Sequence, residues 1–291
     1  MGKRLWFVLI LVAGYCILEV VGGFWSGSLA LLADAGHMVS DVTSLIVSLL
    51  AFQLATRRPL GHQTFGLHRA EILGALINGS LLFVVAGGIL LEAWERLASP
   101  SPILAGPMLA IACGGLIVNL ISLGILHGDR NHNLNLRGAW LHVMGDALGS
   151  VAVIVAAVLV WTLGWTWADP VASILACLLI FVSAWRLLSD ALRVLMEHAP
   201  REINVDLVRQ RMLEIPGVND VHCLHVWTIA SGLSALSAHV VLMSGHPHDA
   251  VLIDLQQALR ASFPLQHLTL QLEASDSTIC PERGDGECLI L

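Results

Sequence analysis

Hydrophobic residues along this chain follow two regimes. Up to about residue 190 they form six long runs, at 5–25, 29–55, 71–97, 103–126, 139–163 and 168–188, separated by short polar joints. Each run approaches or exceeds the roughly 20 residues that an α-helix needs to cross the hydrocarbon core of a bilayer. From about Glu197 the pattern changes to short amphipathic stretches. Residues 204–215 carry a helical period that ends at Pro216-Gly217, and 249–262 form an amphipathic helix that stops before Pro264. Residues 221–229 and 233–242 alternate as strands around Ala230-Ser231-Gly232, and 268–272 add a third strand. The predicted fold class is an α-helical membrane protein with six transmembrane helices over residues 1–196, followed by a small α+β domain of order αββαβ over 197–291. A single three-stranded layer leaves an edge or face open, which favours pairing with a second copy.

Composition supports this division. Only 13% of the residues are charged, about half the share of a soluble domain. The net charge of −7, with no Lys/Arg run, argues against a nucleic-acid partner. Lys3 and Arg4 precede an apolar run, as in a secretory signal, but Glu19 falls inside the run and another span follows. A retained first helix is the reading. The six cysteines (Cys16, Cys113, Cys177, Cys223, Cys280, Cys288) form no tight pair, so no disulfide framework is expected.

Lys3, Arg4, Arg57, Arg58, Arg69, Arg130, Arg137, Arg193 and Arg201 all fall on one side of the predicted spans. The opposite loops contain none, although Arg96 lies near the end of the third span. The positive-inside rule then places both termini in the cytoplasm. Asp169-Pro170 reads as an N-cap and first-turn proline at the start of the sixth helix. Gly74, Gly79, Gly87, Gly88, Gly114 and Gly115 mark close helix packing, while Asn78 and Asn119 read as interhelical glue or pathway lining.

Two polar steps sit inside the apolar runs: His37 with Asp41, and His142 with Asp146. A spacing of i,i+4 puts each imidazole and carboxylate on one helix face. Such groups at membrane depth cost several kcal/mol unless they meet a partner or line a cavity. The same pair occurring twice, without an intramembrane cation nearby, offers two nitrogens and two oxygens: a full tetrahedral set for a borderline-soft divalent ion such as zinc. Asp34, one turn before His37, is placed either beside the ligands or in solvent near the helix end. His142 lies only about three residues inside its apolar run, so meeting His37 requires the fifth helix to begin earlier, near Leu134.

The two H-x-x-x-D steps, the loop Gly61-His62-Gln63-Thr64-Phe65-Gly66-Leu67-His68-Arg69-Ala70-Glu71, six spans, and Val221-His222-Cys223-Leu224-His225-Val226-Trp227 together resemble the cation diffusion facilitator family, most closely its bacterial zinc-efflux branch. That resemblance implies a transport site at His37, Asp41, His142 and Asp146, with histidine at the first position as in zinc-preferring members. It also implies a homodimer whose cytoplasmic domain is similar to metallochaperones. His222, His239, His248 and Glu273 occupy positions similar to the family's regulatory metal sites. Gln271 stands where some members have a histidine, and His267, Cys280 and Cys288 are substitutes for it. Some members bind a further ion between the second and third helices; His62 and His68 are present there, but the pattern around Phe65-Gly66 is shifted. His127 and His132 form a sparse version of the histidine loop before the fifth helix, and solvated histidines are the simpler account. Arg69 and Glu197 resemble a charge pair that joins subunits or domains in relatives.

The expected function is proton-coupled export of Zn2+ from the cytoplasm, with Cd2+ and Co2+ as further candidate cargo. Alternating access at the His2Asp2 site follows from the resemblance. Metal ions, protons, the lipid bilayer and a second copy of the chain are the expected partners; no organic cofactor is expected. The expected location is a bacterial inner membrane. A membrane metalloenzyme would want an open metal position and a base that is not a ligand, for which only Asp34 offers itself. A metal sensor using the terminal domain alone leaves the membrane quartet unexplained.

Overall fold

A computed structural model describes residues 2–55, 62, 64–127 and 134–274. The elements are α1 (Gly2–Ser26), α2 (Leu29–Ala55), α3 (Ala70–Ala98), α4 (Ala105–His127), α5 (Leu134–Leu163), α6 (Ala168–Leu195), α7 (Val205–Leu213), β1 (Val218–Ala230), β2 (Leu233–Leu242), α8 (His248–Ser262) and β3 (His267–Ala274). They divide into two compact units, Met1–Leu50 with Gly74–Ser189 and Ala51–Leu73 with Asp190–Leu291. His132, Cys280 and Cys288, and the side chain of His127, lie outside the described residues.

The first unit consists of membrane helices. α3, α4, α6 and Trp140–Leu163 of α5 are long and apolar enough to cross a bilayer, and Ile10–Ser26 of α1 is a shorter apolar stretch. With α2 they make the six spans of an α-helical membrane protein. Its interior is built from small side chains: Ala30, Ala33, Ala86, Ala112, Ala157 and Ala184 are buried, whereas Ile17, Phe24, Val84, Leu91 and Leu179 stand exposed. That inversion of the water-soluble pattern lets helix backbones approach closely and leaves the bulky residues to the lipid. A side chain at Gly79 would sit 3.0 Å from Leu188 Cγ, and one at Gly115 would sit 3.0 Å from the Tyr15 ring, so both glycines mark close approaches. Gly88 meets nothing within 4 Å. Asn78 donates to Ser40 Oγ at 2.8 Å and Asn119 to Ser150 Oγ at 3.3 Å, each tying two helices together.

The start of α6 differs from expectation. The helix begins at Ala168, and Asp169 lies inside its first turn instead of capping it. The reason is that its carboxylate serves α2. It accepts from the Ser28 hydroxyl at 2.5 Å and from the backbone N–H groups of Leu29 at 2.9 Å and Ala30 at 3.1 Å. Ser28 Oγ in turn accepts from Leu31 N–H at 3.2 Å. The free donors of a helix N-terminus, which lipid cannot satisfy, are thus consumed by two side chains. Arg96, the lone Lys or Arg at its end of the spans among the described residues, is neutralised in a similar way. Its Nε lies 2.9 Å from Glu92 Oε1, and Nη1 donates to the Gly27 carbonyl at 2.5 Å, just past the end of α1.

In the second unit α7, β1, β2, α8 and β3 realise the αββαβ order. The sheet runs β1-β2-β3, with β1 and β2 antiparallel and β2 and β3 parallel. Val208 and Met212 of α7, Val221, Leu236 and Val240 of the strands, and Leu255 and Leu259 of α8 form its core. Asn204 caps α7 through Oδ1, which accepts from the N–H groups of Asp206 and Leu207. Gly217 turns the chain into β1 at φ +92°, and a Cβ there would meet the His246 ring at 2.7 Å. Gly217→Ala is therefore expected to destabilise this unit by about 1–3 kcal/mol, read as a lower thermal midpoint for its unfolding transition in the purified protein. Arg69 Nη2 lies 3.0 Å from Glu197 Oε1. Both side chains are well exposed, so the pair contributes only about 0–1 kcal/mol and acts as a positioning contact.

Candidate metal centre

α2 and α5 each bring one imidazole and one carboxylate to a common point. α5 begins at Leu134, well before its apolar run, so His142 lies two turns inside regular helix instead of at a fraying end. The earlier start that the sequence required is the one observed. His142 Nε2 donates to Asp41 Oδ2 at 3.0 Å. His37 Nε2 lies 3.8 Å from Asp41 Oδ2 and 3.7 Å from Asp146 Oδ1, and His142 Nε2 lies 3.8 Å from Asp146 Oδ2. The two rings approach to 5.7 Å between centroids at 56°.

One donor atom from each of the four residues falls within 4.8 Å of every other. Zinc–ligand bonds of ~2.0–2.2 Å imply donor separations of roughly 3.3–3.6 Å around a tetrahedron. The four imidazole–carboxylate spacings, 3.0–3.8 Å, lie within about half an ångström of that range, and the remaining two pairs, within 4.8 Å, have at most roughly 1.5 Å to close on an ion. Side-chain exposures of 30% and 31% for His37 and Asp41, 46% for His142 and 13% for Asp146 show a pocket with an entrance, not a sealed core. Asp34 is outside this donor set. Its Oδ1 points toward α5, 3.6 Å from where a Cβ on Gly149 would stand, one turn beyond Asp146.

A second group forms in the sheet. His222 and His239 are directly opposite on β1 and β2, and Glu273 of β3 is buried beneath them. His222 Nε2 lies 3.3 Å from Glu273 Oε2. His239 Nδ1 is 2.9 Å from Glu273 Oε1 but out of line for a hydrogen bond, so a buried nitrogen is left without a donor or acceptor. An orphaned nitrogen beside a carboxylate is the arrangement that a bound cation would satisfy. Cys223 joins this group: its Sγ is 3.4 Å from His222 Nδ1, and with His222 and His239 it forms the second set of potential ligands among the described residues.

Sequence reading missed Cys223, because strand alternation sends adjacent residues to opposite faces. A bulge between His222 and His225, with Cys223 at φ +49°, breaks that alternation and swings the sulfur round. Cys223 is also disulfide-bonded, a pairing that cysteine spacing along the chain does not report. Only the reduced thiolate would be a metal ligand. His248 and His267 do not join the group. His248 opens α8 in an exposed position. His267 begins β3 opposite Ala235, four rows from Gln271 opposite His239, and packs edge-on against Phe65 at 5.8 Å. Gln271 donates to Glu273 Oε1 at 2.9 Å. His62 and His68 belong to neither group.

Six membrane helices with paired His–Asp steps, followed by an αββαβ domain, are the architecture of a membrane carrier of cations. A family profile described as "Cation efflux transmembrane domain" matches residues 5–196, and one described as "Cation efflux protein, cytoplasmic domain" matches residues 200–275. The chain belongs to the cation efflux, or cation diffusion facilitator, family, and its activity is transport. It is 45% identical over 275 residues to the zinc transporter ZitB of Escherichia coli K12, covering 94% of this chain and 87% of that one. It is 42% identical over 269 residues to a cadmium, cobalt and zinc/H(+)-K(+) antiporter of Bacillus subtilis, covering 91% and 86%. Against the metal cation efflux system protein CzcD of Cupriavidus metallidurans it is 40% identical over 272 residues, covering 93% and 86%.

Proposed function

We propose that this protein exports Zn2+ from the cytoplasm in exchange for protons, holding the ion at His37, Asp41, His142 and Asp146. The observation that carries this is the convergence of four donors, two from each of two helices, within 4.8 Å of one another. Four protein ligands leave no open coordination position, which suits carriage and not chemistry on a bound water. The names of the relatives from Escherichia coli and Bacillus subtilis support zinc as cargo, with cadmium and cobalt as further candidates. Orientation follows from the arginines: both termini face the cytoplasm of a bacterial inner membrane, and residues 1–196 carry the ion while 197–291 pair two copies and respond to cytoplasmic metal through His222, His239 and Glu273.

Protons are the natural counter-substrate. Metal binding needs neutral imidazoles and ionised carboxylates, so the two compete for the same atoms. Histidine titrates near pH ~6.5, so acidifying the face that receives the ion favours its release there. The sign is therefore fixed: zinc uptake into inverted vesicles should rise as the lumen is acidified from ~7.5 to ~6 and collapse when a protonophore equalises the two sides. Zinc flux indifferent to the gradient would refute proton exchange, and no zinc flux at all would refute the transport reading.

A further inference from the structure

Glu19 is 1% exposed, one of two fully buried carboxyls among the described residues of the membrane unit; the other, Asp169, caps α2, whereas nothing in the transport cycle described above uses Glu19. It stands on α1, which packs against α4. Its carboxyl passes over α4 at Gly115, where a Cβ would fall 2.9 Å from Oε1 and 3.4 Å from Ser150 Oγ of α5. The glycine at 115 is thus the opening through which a carboxyl from the first helix reaches the fifth. Ser150 lies one turn past Asp146 and donates to its carbonyl at 3.1 Å, while Asn119 donates to Ser150 Oγ. Oε2 of Glu19 is buried without any hydrogen-bond partner.

The titratable groups around this carboxyl are Tyr15 and Cys16 on its own helix, Asp34 on α2, Asp146 on α5, and Cys113 on α4 beside Tyr15. The Tyr15 hydroxyl is spoken for, donating to the Ile111 carbonyl. None of these five is a cation. A fully buried carboxylate with an unfilled oxygen and only acidic neighbours is among the costliest arrangements a protein can hold, and a bound proton removes the cost. Among the described residues, neither group of potential metal ligands includes Glu19. Asp34 is partly exposed, and its Oδ1 lies 3.6 Å from where a Cβ on Gly149 would stand, beside Ser150 on α5.

We infer that Glu19 is a proton-binding group of the exchange cycle: it gives up its proton when the ion enters the quartet and takes one back when the ion leaves. The inference rests on the quartet being the metal site. A 2+ charge one to two turns away favours the ionised carboxylate, and its departure restores the preference for the acid, so ion and proton alternate without sharing a ligand.

The test counts protons released per zinc bound by the full-length protein in weakly buffered detergent solution. Glu19→Gln is expected to bind one zinc per quartet as before while releasing about one proton fewer, and Glu19→Asp, which keeps the acid, to restore the count. An unchanged count in Glu19→Gln overturns the inference. In the unaltered protein, an infrared difference spectrum on adding zinc should lose a protonated-carboxyl C=O band. Absence of that loss also overturns it, whether or not the variants fold. Asp146→Ala separates the two readings: if it leaves zinc binding intact, the quartet assignment fails; if it abolishes binding while Glu19→Gln leaves the proton count unchanged, only the role of Glu19 fails.

Discussion

Replacing Asp146 with alanine is expected to reduce zinc transport to background and to weaken zinc binding at the membrane site by roughly 100-fold or more. A four-ligand zinc site is worth about 10–16 kcal/mol in all, so one ligand carries about 3 kcal/mol, and each 1.4 kcal/mol is tenfold in affinity. The loss should exceed this proportional share. Without Asp146, His37 and His142 both lose a carboxylate now 3.7–3.8 Å away, and Asp41 alone must balance the ion. Asp41→Ala should match it, because Asp41 also accepts the hydrogen bond that orients His142. Zinc titration of the purified protein, paired with vesicle uptake, checks both. Retained uptake in either variant would mean that the ion travels elsewhere.

The second large effect is one of stability, far from the ligands. Asp169→Ala is expected to lower the unfolding free energy by about 3 kcal/mol, since it strips a charged acceptor from two backbone N–H groups and a hydroxyl that are all buried. Asp169→Asn keeps one carbonyl acceptor and should recover part of the loss. The measurement is a thermal or denaturant midpoint in detergent, with zinc affinity followed alongside. A midpoint within error of the unaltered protein would show that water or a rearranged Ser28 replaces the carboxylate.

What could be read from the chain and what could not divides along physical lines. Period and length revealed the helices and strands, because lipid and a sheet each impose one repeat on whole segments. The i,i+4 steps revealed the membrane quartet, because a helix converts sequence spacing directly into a shared face. Asp169 was misjudged because Asp-Pro carries the same local signal whichever helix its carboxylate caps, and only the fold decides which. Cys223 was missed because a one-residue bulge leaves no mark on an alternating pattern. His248 and His267 were grouped with His222 by chemistry, yet helix α8 and the far end of β3 hold them apart. Glu19 stood out only as a charge inside an apolar run; that its carboxyl slips past Gly115 toward α5 depends on two helices meeting, which no single segment encodes.

The cap at Ser28–Ala30 has a mechanical consequence for the carrier. A helix gripped at one tip can swing but cannot slide, so α2 has a fulcrum where α6 holds it. His37 and Asp41 lie some 8 to 12 residues along, a lever arm of roughly 12–18 Å. Over that arm a tilt of about 10° displaces the donors by roughly 2–3 Å, more than a zinc–ligand bond. Small angular play at an anchored tip is thus enough to open or shut the cage, without unwinding a single turn.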